Sequence, residues 1–417
     1  MRGKPATIAL ALLVVGAAAL TGGCDMDVQN PNIIEAREIN PETEGSMLAK
    51  SAMQDWSRAY QWFAYYSGYF TGEFVSAHIQ DFANHSSQRN VQPDETDGEY
   101  WAPVSRARKS AVEVLRFLEG TEGAGSNINV VRASYAAGYS FLYMADNFCR
   151  AAVDVGPEIQ RPALLDSAVT HFSRAIDVGQ ANGSDAALRL VNASRIGRAN
   201  AYLSLGEDGQ ARSDAAAVPE GFEYEIQMVS DPQDRRTESP RLGNQLYRST
   251  WFGDKVLSVG EAYRNLGDPR IEAVPPSEHS ISPRDGFTDY WAQNKYPGFG
   301  ADYRLASHLE ARYIIAEVDG TDAMEQMIAE RRQANGQPAY DGSTAPDSIR
   351  AEFLWQKSLD FWLEAKKMGD FRRHGELVPG MPEPGEEYHK PGFAPIGDQT
   401  CFPLPLAEIR NNPNIDE

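Results

Sequence analysis

The sequence predicts an all-α protein, a superhelical array of antiparallel helix pairs interrupted by long irregular loops. Three observations carry that reading. Apolar and small residues recur at three- and four-residue spacing through most of the chain. The string Ala201–Ala211, with small residues at Ala201, Ser204, Gly206, Gly209 and Ala211, stands between two such stretches, where those small residues let antiparallel helices approach closely. Between Pro219 and Ala301 the helical period fails while aromatic residues stay dense.

At the N-terminus, Arg2 and Lys4 precede an apolar run from Ala6 to Leu20 and then Thr21-Gly22-Gly23-Cys24. A charged start, an apolar stretch too short to span a bilayer comfortably, and small residues before a cut define a secretory signal over 1–23. A cysteine after small residues resembles a bacterial lipobox, although Thr21 occupies the usual aliphatic position and Leu20 lies one place further back. The alternative is an ordinary signal peptide cut near Ala19 or Gly23. Acyl chains on Cys24 would supply the multiple-chain anchoring that makes membrane attachment stable. Residues 24–40, polar and rich in Pro and Asn, read as a tether. No other apolar run approaches the twenty or so residues that a bilayer requires.

The body spans 41–417. Asn40-Pro41-Glu42 supplies an N-cap, a first-turn proline and an acid matched to the helix dipole. Met47, Met53, Trp56, Tyr60, Phe63 and Tyr66 continue one face. Residues 81–100 read as a loop, and 101–118 as a helix with Val104, Ala107, Val114 and Leu118 inward. Helices are expected over 130–148, 164–178 (with Phe172 in its buried stripe), 188–205 and 210–217. The turn joining the last two resembles that of a tetratricopeptide repeat, which makes the array tetratricopeptide-like. Segments 305–318 and 321–335 form another pair. The stretch at about 219–301 reads as an excursion of short helices and a small strand pair, because a structureless connection that long is anomalous in a compact domain unless functional. Its aromatics include Tyr247, Trp251, Phe252, Phe287, Tyr290, Trp291, Tyr296 and Phe299. A second irregular region covers 377–400.

Near the C-terminus, Ala351, Leu354, Ser358, Phe361, Ala365 and Met368 step by three and four, so 349–373 reads as one core-packed helix. Thr344, Pro346 and Asp347 start it and Gly375 stops it. A proline-stiffened tail, Phe402-Pro403-Leu404-Pro405-Leu406 with Glu408-Ile409 and Asn412-Pro413-Asn414, then returns to the body.

That tail, and the helix carrying Glu364-Ala365-Lys366-Lys367 and Asp370-Phe371-Arg372-Arg373, resemble the C-terminal signature of the SusD/RagB family. Three further segments fit: Asp27-Val28-Gln29-Asn30-Pro31-Asn32, Trp101-Ala102-Pro103-Val104, and Asn294-Lys295-Tyr296-Pro297 followed by Glu310, Ala311, Ile314 and Glu317. Arg312 follows its glutamate instead of preceding it, so the family's salt bridge does not transfer at that point. The resemblance spans 25–417 and implies a lipoprotein of the cell outer membrane, anchored through Cys24 and exposed at the surface. Its implied role is nutrient uptake: it binds an oligomeric nutrient, a glycan foremost, and passes it to a SusC-type TonB-dependent transporter. The rival readings are a tetratricopeptide-like envelope scaffold and a surface glycan hydrolase.

Chemistry is sparse. The chain has no G-x-S-x-G, phosphate-loop or H-E-x-x-H motif, so no catalytic residue, cofactor or metal is expected. Asp94, Glu95, Asp97 and Glu99 do not follow calcium-loop spacing and read as a solvated acidic loop. A net charge of −20 argues against nucleic acid and anionic headgroups as partners and reads foremost as solubility at a crowded cell surface. Sugar recognition without catalysis needs aromatic faces and groups for hydroxyls; Trp251, Tyr290 and Trp291 are the candidate ligand-binding residues. The competing reading buries each ring with its polar tip satisfied. Tyr296 reads as structural, and Trp101, Trp355 and Trp362 as core or partner-facing. Cys149 and Cys401, in an oxidising compartment, either pair or stand as two buried thiols.

Overall fold

Aromatic residues at helical spacing make the first helix the spine of the protein. The computed structural model describes residues 40–230 and 243–415; the signal, Cys24 and the tether up to residue 39 lie outside them. In α1 (Pro41–Phe70) the buried face carries Trp56, Tyr60 and Phe63. Trp56 stacks on Tyr139 at 5.6 Å, and Tyr60 meets Tyr143 and Tyr303 edge-on at 5.7 and 5.6 Å. Such pairs add about 0.5–1.5 kcal/mol each beyond the area they bury.

The other long helices follow: α2 (Asp81–Ser87), α3 (Ala102–Leu118), α4 (Ile128–Asn147), α5 (Arg161–Asn182), α6 (Asp185–Leu205), α7 (Asp208–Ala216), α8 (His308–Asp319), α9 (Thr321–Ala334) and α10 (Pro346–Asp360). From α3 to α10 each packs on the next, the serial contact of a tetratricopeptide-like array. Phe172 of α5 is fully buried between α4 and α6 because glycines face it on both sides. A Cβ at Gly138 or Gly197 would come within 2.6 or 2.4 Å of its ring. The α6–α7 turn closes on Gly206 at φ +76°, whose N–H bonds back to Leu203 and Tyr202.

Short antiparallel strand pairs tie the loops down. They are β1 (Phe74–Ser76) with β5 (Leu257–Val259), the hairpin β2 (Arg150–Ala152) with β3 (Glu158–Gln160), β4 (Glu223–Ile226) with β8 (Tyr303–Ser307), and β6 (Ala273–Val274) with β7 (Ala292–Gln293). The excursion thus holds one strand pair of its own, β6 with β7, as expected, and its β4 and β5 also pair with β8 and β1 outside it. Residues 81–100 are also more ordered than a loop. They form α2 and two helical turns, Pro93–Glu95 and Asp97–Trp101, held by a capping box between Gln92 and Glu95 and by His85 on Glu95 at 2.7 Å.

The single helix expected over 349–373 is broken. It ends at Asp360 and resumes as α11 (Lys367–His374), with Leu363 and Ala365 at φ +60° and +55° between the two. Left-handed backbone at non-glycine residues costs about 1–3 kcal/mol each, so something must over-determine it. The break turns Glu364 inward to Lys295 at 2.6 Å and Arg304 at 2.9 Å. It also frees the Leu363 N–H for the buried Glu73 carboxylate at 2.7 Å and aims Lys366 at Glu310, 2.9 Å away. An unbroken helix could not deliver these contacts at once. Beyond the break, Asp370 takes Lys357 and Arg373 at 2.7 and 2.5 Å, and Glu317 takes His374 and Arg373 at 2.7 and 3.3 Å. Gly375 ends α11 as expected, at φ +56°.

The tail returns to the body through α12 (Leu406–Asn411) and its flanks. Cys149 and Cys401 form a disulfide, with Cα atoms 5.1 Å apart, beside a bridge between Phe148 and Phe402. Trp101 Nε1 donates to Glu408 at 3.1 Å, while Asn412 and Asn414 donate to the carbonyls of Gly156 and Val155.

Burial alone would raise the Glu364 and Glu317 carboxyls, yet Lys295 and Arg304 hold the first below the carboxylate range, and Arg373, Lys357 and His374 hold the second well below it. In acid the unfolded chain therefore binds more protons than the folded one. The stabilisation is complete above the unfolded carboxylate value, about 4.3, and is lost as pH falls through the folded values. Desolvation holds His78, His171 and His389 down to about 4, so these imidazoles gain protons first in the unfolded chain. Urea midpoints should therefore begin to fall below about pH 6.5 and drop further below about pH 4 as the carboxylates titrate. Glu364→Gln should lower stability by about 3–5 kcal/mol at neutral pH, because two buried cations lose their partner. Separately, Cys401→Ser should cost about 2–5 kcal/mol, read as a fall in thermal midpoint under non-reducing conditions.

Candidate functional site

In the excursion, strands β5 and β7 bring Trp251, Tyr290 and Trp291 together but turn them mostly inward. Tyr290 is 2% exposed, its hydroxyl donating to the Thr250 carbonyl at 2.9 Å. With Ala77 and Ala292 it forms a small core of its own, against which Trp251, Val274 and Ile281 pack. Trp291 is 9% exposed; its Nε1 donates to Asp289 at 3.0 Å and the Arg264 guanidinium lies 5.7 Å over its ring. Trp251 is half-buried, with Nε1 donating to the Gln293 carbonyl at 2.6 Å and its ring edge-on to His279. Tyr290 and Trp291 thus present no open ring face: Tyr290 sits in the small second core, Trp291 packs into the main core, and each polar tip has a partner, the Thr250 carbonyl and the Asp289 carboxylate.

The exposed rings are phenylalanines. Phe252 is 68% and Phe287 58% exposed. Phe252 joins a ladder in which its ring meets Phe299 at 5.1 Å, and Phe299 meets the half-buried Tyr247 at 5.0 Å, both edge-on. The ladder stands on a fixed base. Buried Asn244 accepts from the Tyr247 N–H and the Tyr303 hydroxyl, and donates to the Ala301 carbonyl. Gln245 N–H bonds to Gln61 of α1 at 2.9 Å. Gly243 lies so close to Phe299 that a Cβ would sit 2.6 Å from the ring.

Polar groups flank the ladder. The exposed pair Arg284–Asp254, 2.7 Å apart, links the turn after Phe252 to the loop that carries Phe287. Lys390, buried with Asp285 at 2.9 Å, sits 5.9 Å over the Phe287 ring and donates to the His78 carbonyl. Burial pushes the His78 imidazole down to about 4, and Arg284 adds to the effect, so it is neutral at physiological pH. Ring faces beside a guanidinium and a carboxylate suit the alternating C–H and hydroxyl surface of a sugar. Among the described residues, no group of three or more His, Cys, Asp or Glu could hold a metal ion. Phe252 and Phe299 lay within the aromatic-rich stretch of the sequence, but a phenylalanine carries no polar tip to mark it as a surface residue.

This architecture is the fold of the SusD superfamily. A SusD superfamily protein from Bacteroides vulgatus superposes with a TM-score of 0.63 at 12% identity, over 90% of this chain and 98% of its own. A laminarin-binding SusD-like protein gives 0.66 at 15%, over 90% and 98%. Surface glycan-binding protein A from Bacteroides thetaiotaomicron gives 0.65 at 12%, over 88% and 96%. No protein-family model and no curated protein matches the sequence.

Inward and outward rings separate by stability. Tyr290→Ala should cost about 3–5 kcal/mol, whereas Phe252→Ala should stay within about 1 kcal/mol of the parent in chemical denaturation. Equal losses would show that Phe252 belongs to a core.

Proposed function

We propose that this protein is a cell-surface lipoprotein that binds a neutral oligosaccharide and passes it to a SusC-type TonB-dependent transporter of the outer membrane. The observation that carries the reading is a SusD fold displaying an exposed aromatic ladder beside a charged pair. Fold neighbours described as laminarin-binding and surface glycan-binding support a sugar as the ligand. A net charge of −20 disfavours a polyanionic one. The activity is capture and handover, with no bond broken. No helix among the described residues is long and apolar enough to cross a membrane; Cys24 is the point of attachment on this reading, and the segment up to residue 40 is its tether.

On an array of neutral oligosaccharides, the full chain should bind at least one class. The pair Phe252→Ala/Phe299→Ala should weaken that binding by about 1–3 kcal/mol with helical circular dichroism unchanged. Full affinity in the pair would sink the site, and no binding to any glycan would favour the scaffold reading. Cys24→Ala should move the protein from the membrane to the soluble fraction, and membrane extracts of the parent should yield a TonB-dependent transporter with it.

A further inference from the structure

Two cavities meet on α9, α10 and the loop between them, with Ala262 of the excursion on the wall of one and away from the phenylalanine ladder. The larger, about 670 Å³, is lined by Glu325, Ile328, Arg332, Gln333, Tyr340 and Ile349. The smaller, about 520 Å³, is lined by Tyr340, Ser348, Ala351, Trp355 and Gly380 with Glu352. Tyr340 borders both, and Arg332 of the first bonds to Glu352 of the second at 2.6 Å. Together they form one cleft with a waist, each half in the size range of small-ligand sites.

The helical period explains the hollow. Ser348, Ala351, Glu352 and Trp355 share one stripe of α10, so two small residues stand beside a large indole. Trp355 is half-buried and backed on one side by Tyr263 at 5.4 Å, which in turn lies on the buried Trp362 at 6.1 Å. Tyr263 is itself fixed, its hydroxyl bonded to Ser358 and Lys367. The indole is therefore a rigid platform with little rotamer freedom left to lose on binding. The wall across the waist is equally fixed. Arg332 lies 5.8 Å over the Tyr340 ring and donates to the Pro338 carbonyl at 2.7 Å, while the Tyr340 hydroxyl donates to Ser343.

We propose that this cleft is a second oligosaccharide-binding site. A neutral pyranose stacks on Trp355, and the sugar chain continues past Tyr340 into the larger cavity. There, apolar Ile328 and Ile349 form the floor, and the exposed carboxylate of Glu325 and amide of Gln333 meet hydroxyls. Neutral sugar fits better than an anion because Arg332 is already paired with Glu352, leaving Glu325 to repel negative charge. The sugar class rests on the function proposed above; the cleft is independent of the Phe252 ladder. Two sites on one body would hold a polymer more tightly than either alone.

The test is the same array of neutral oligosaccharides, laminarin included, with the full chain. Trp355→Ala removes the platform, and Ala351→Trp fills the hollow from a half-buried position on the cleft wall. Each should weaken binding of at least one glycan by about tenfold or more, and Ala351→Trp should melt within a few degrees of the parent. Unchanged binding in both variants overturns the second site while the proposed function stands. Loss in Trp355→Ala alone overturns it too, because the filled hollow must compete for the same space. If the parent binds no glycan, both this inference and the proposed function fall.

Discussion

Glu364 has no access to water, and a buried carboxylate is tolerated only where cations and hydrogen bonds replace its solvent. Lys295 from the excursion and Arg304 from β8 both converge on it. The same layer continues through Glu310 with Lys366, Asp370 with Lys357 and Arg373, and Glu317 with His374. These groups come from segments far apart in the chain, so the network closes only when the helix array, the excursion and the C-terminal helices are all docked. The broken helix between Asp360 and Lys367 is the local consequence. Backbone strain at Leu363 and Ala365 is accepted because no straight helix could present its charges in so many directions.

That layer also positions the binding surfaces. Lys295 immediately precedes Tyr296, whose ring packs on Tyr303 at 4.7 Å, and Tyr303 bonds to Asn244 beneath the phenylalanine ladder. On the other side of the layer, Lys367 donates to the Tyr263 hydroxyl that helps fix the ring behind Trp355. One ionic framework thus stiffens both an aromatic ladder and an aromatic cleft, the condition under which stacking retains most of its free energy. The small second core around Tyr290 plays the same part within the excursion: it spends the polar-tipped rings on rigidity and leaves phenylalanines outside.

Much of this could be read from residue order. The serial helix pairs, Phe172 in its buried stripe, the Gly206 turn, the stop at Gly375 and the returning tail all follow from short-range spacing and from backbone preferences, which act within a few residues and survive in any tertiary context. The pairing of Cys149 with Cys401, left open by the residues alone, required two segments 252 positions apart to be brought together. Order in 81–100 was hidden because its caps are made by Gln92, Glu95 and His85 across short breaks in the period.

What the sequence determined by itself is the class of the fold and the location of the aromatic-rich excursion, because helical periodicity and its loss are local properties. Which aromatic faces solvent was decided only by the tertiary structure. Trp251, Tyr290 and Trp291 bear the polar tips that favour an exposed edge in general, yet here the fold supplied each tip with a partner: the Gln293 and Thr250 carbonyls and the Asp289 carboxylate. Phe252 was left outside because its neighbours on the fold are other rings and not a closed core, and Trp355, on a helix that reads as buried, stands beside a hollow made by Ser348 and Ala351. Burial depends on what arrives opposite a residue, and that is fixed by contacts between segments distant in the chain.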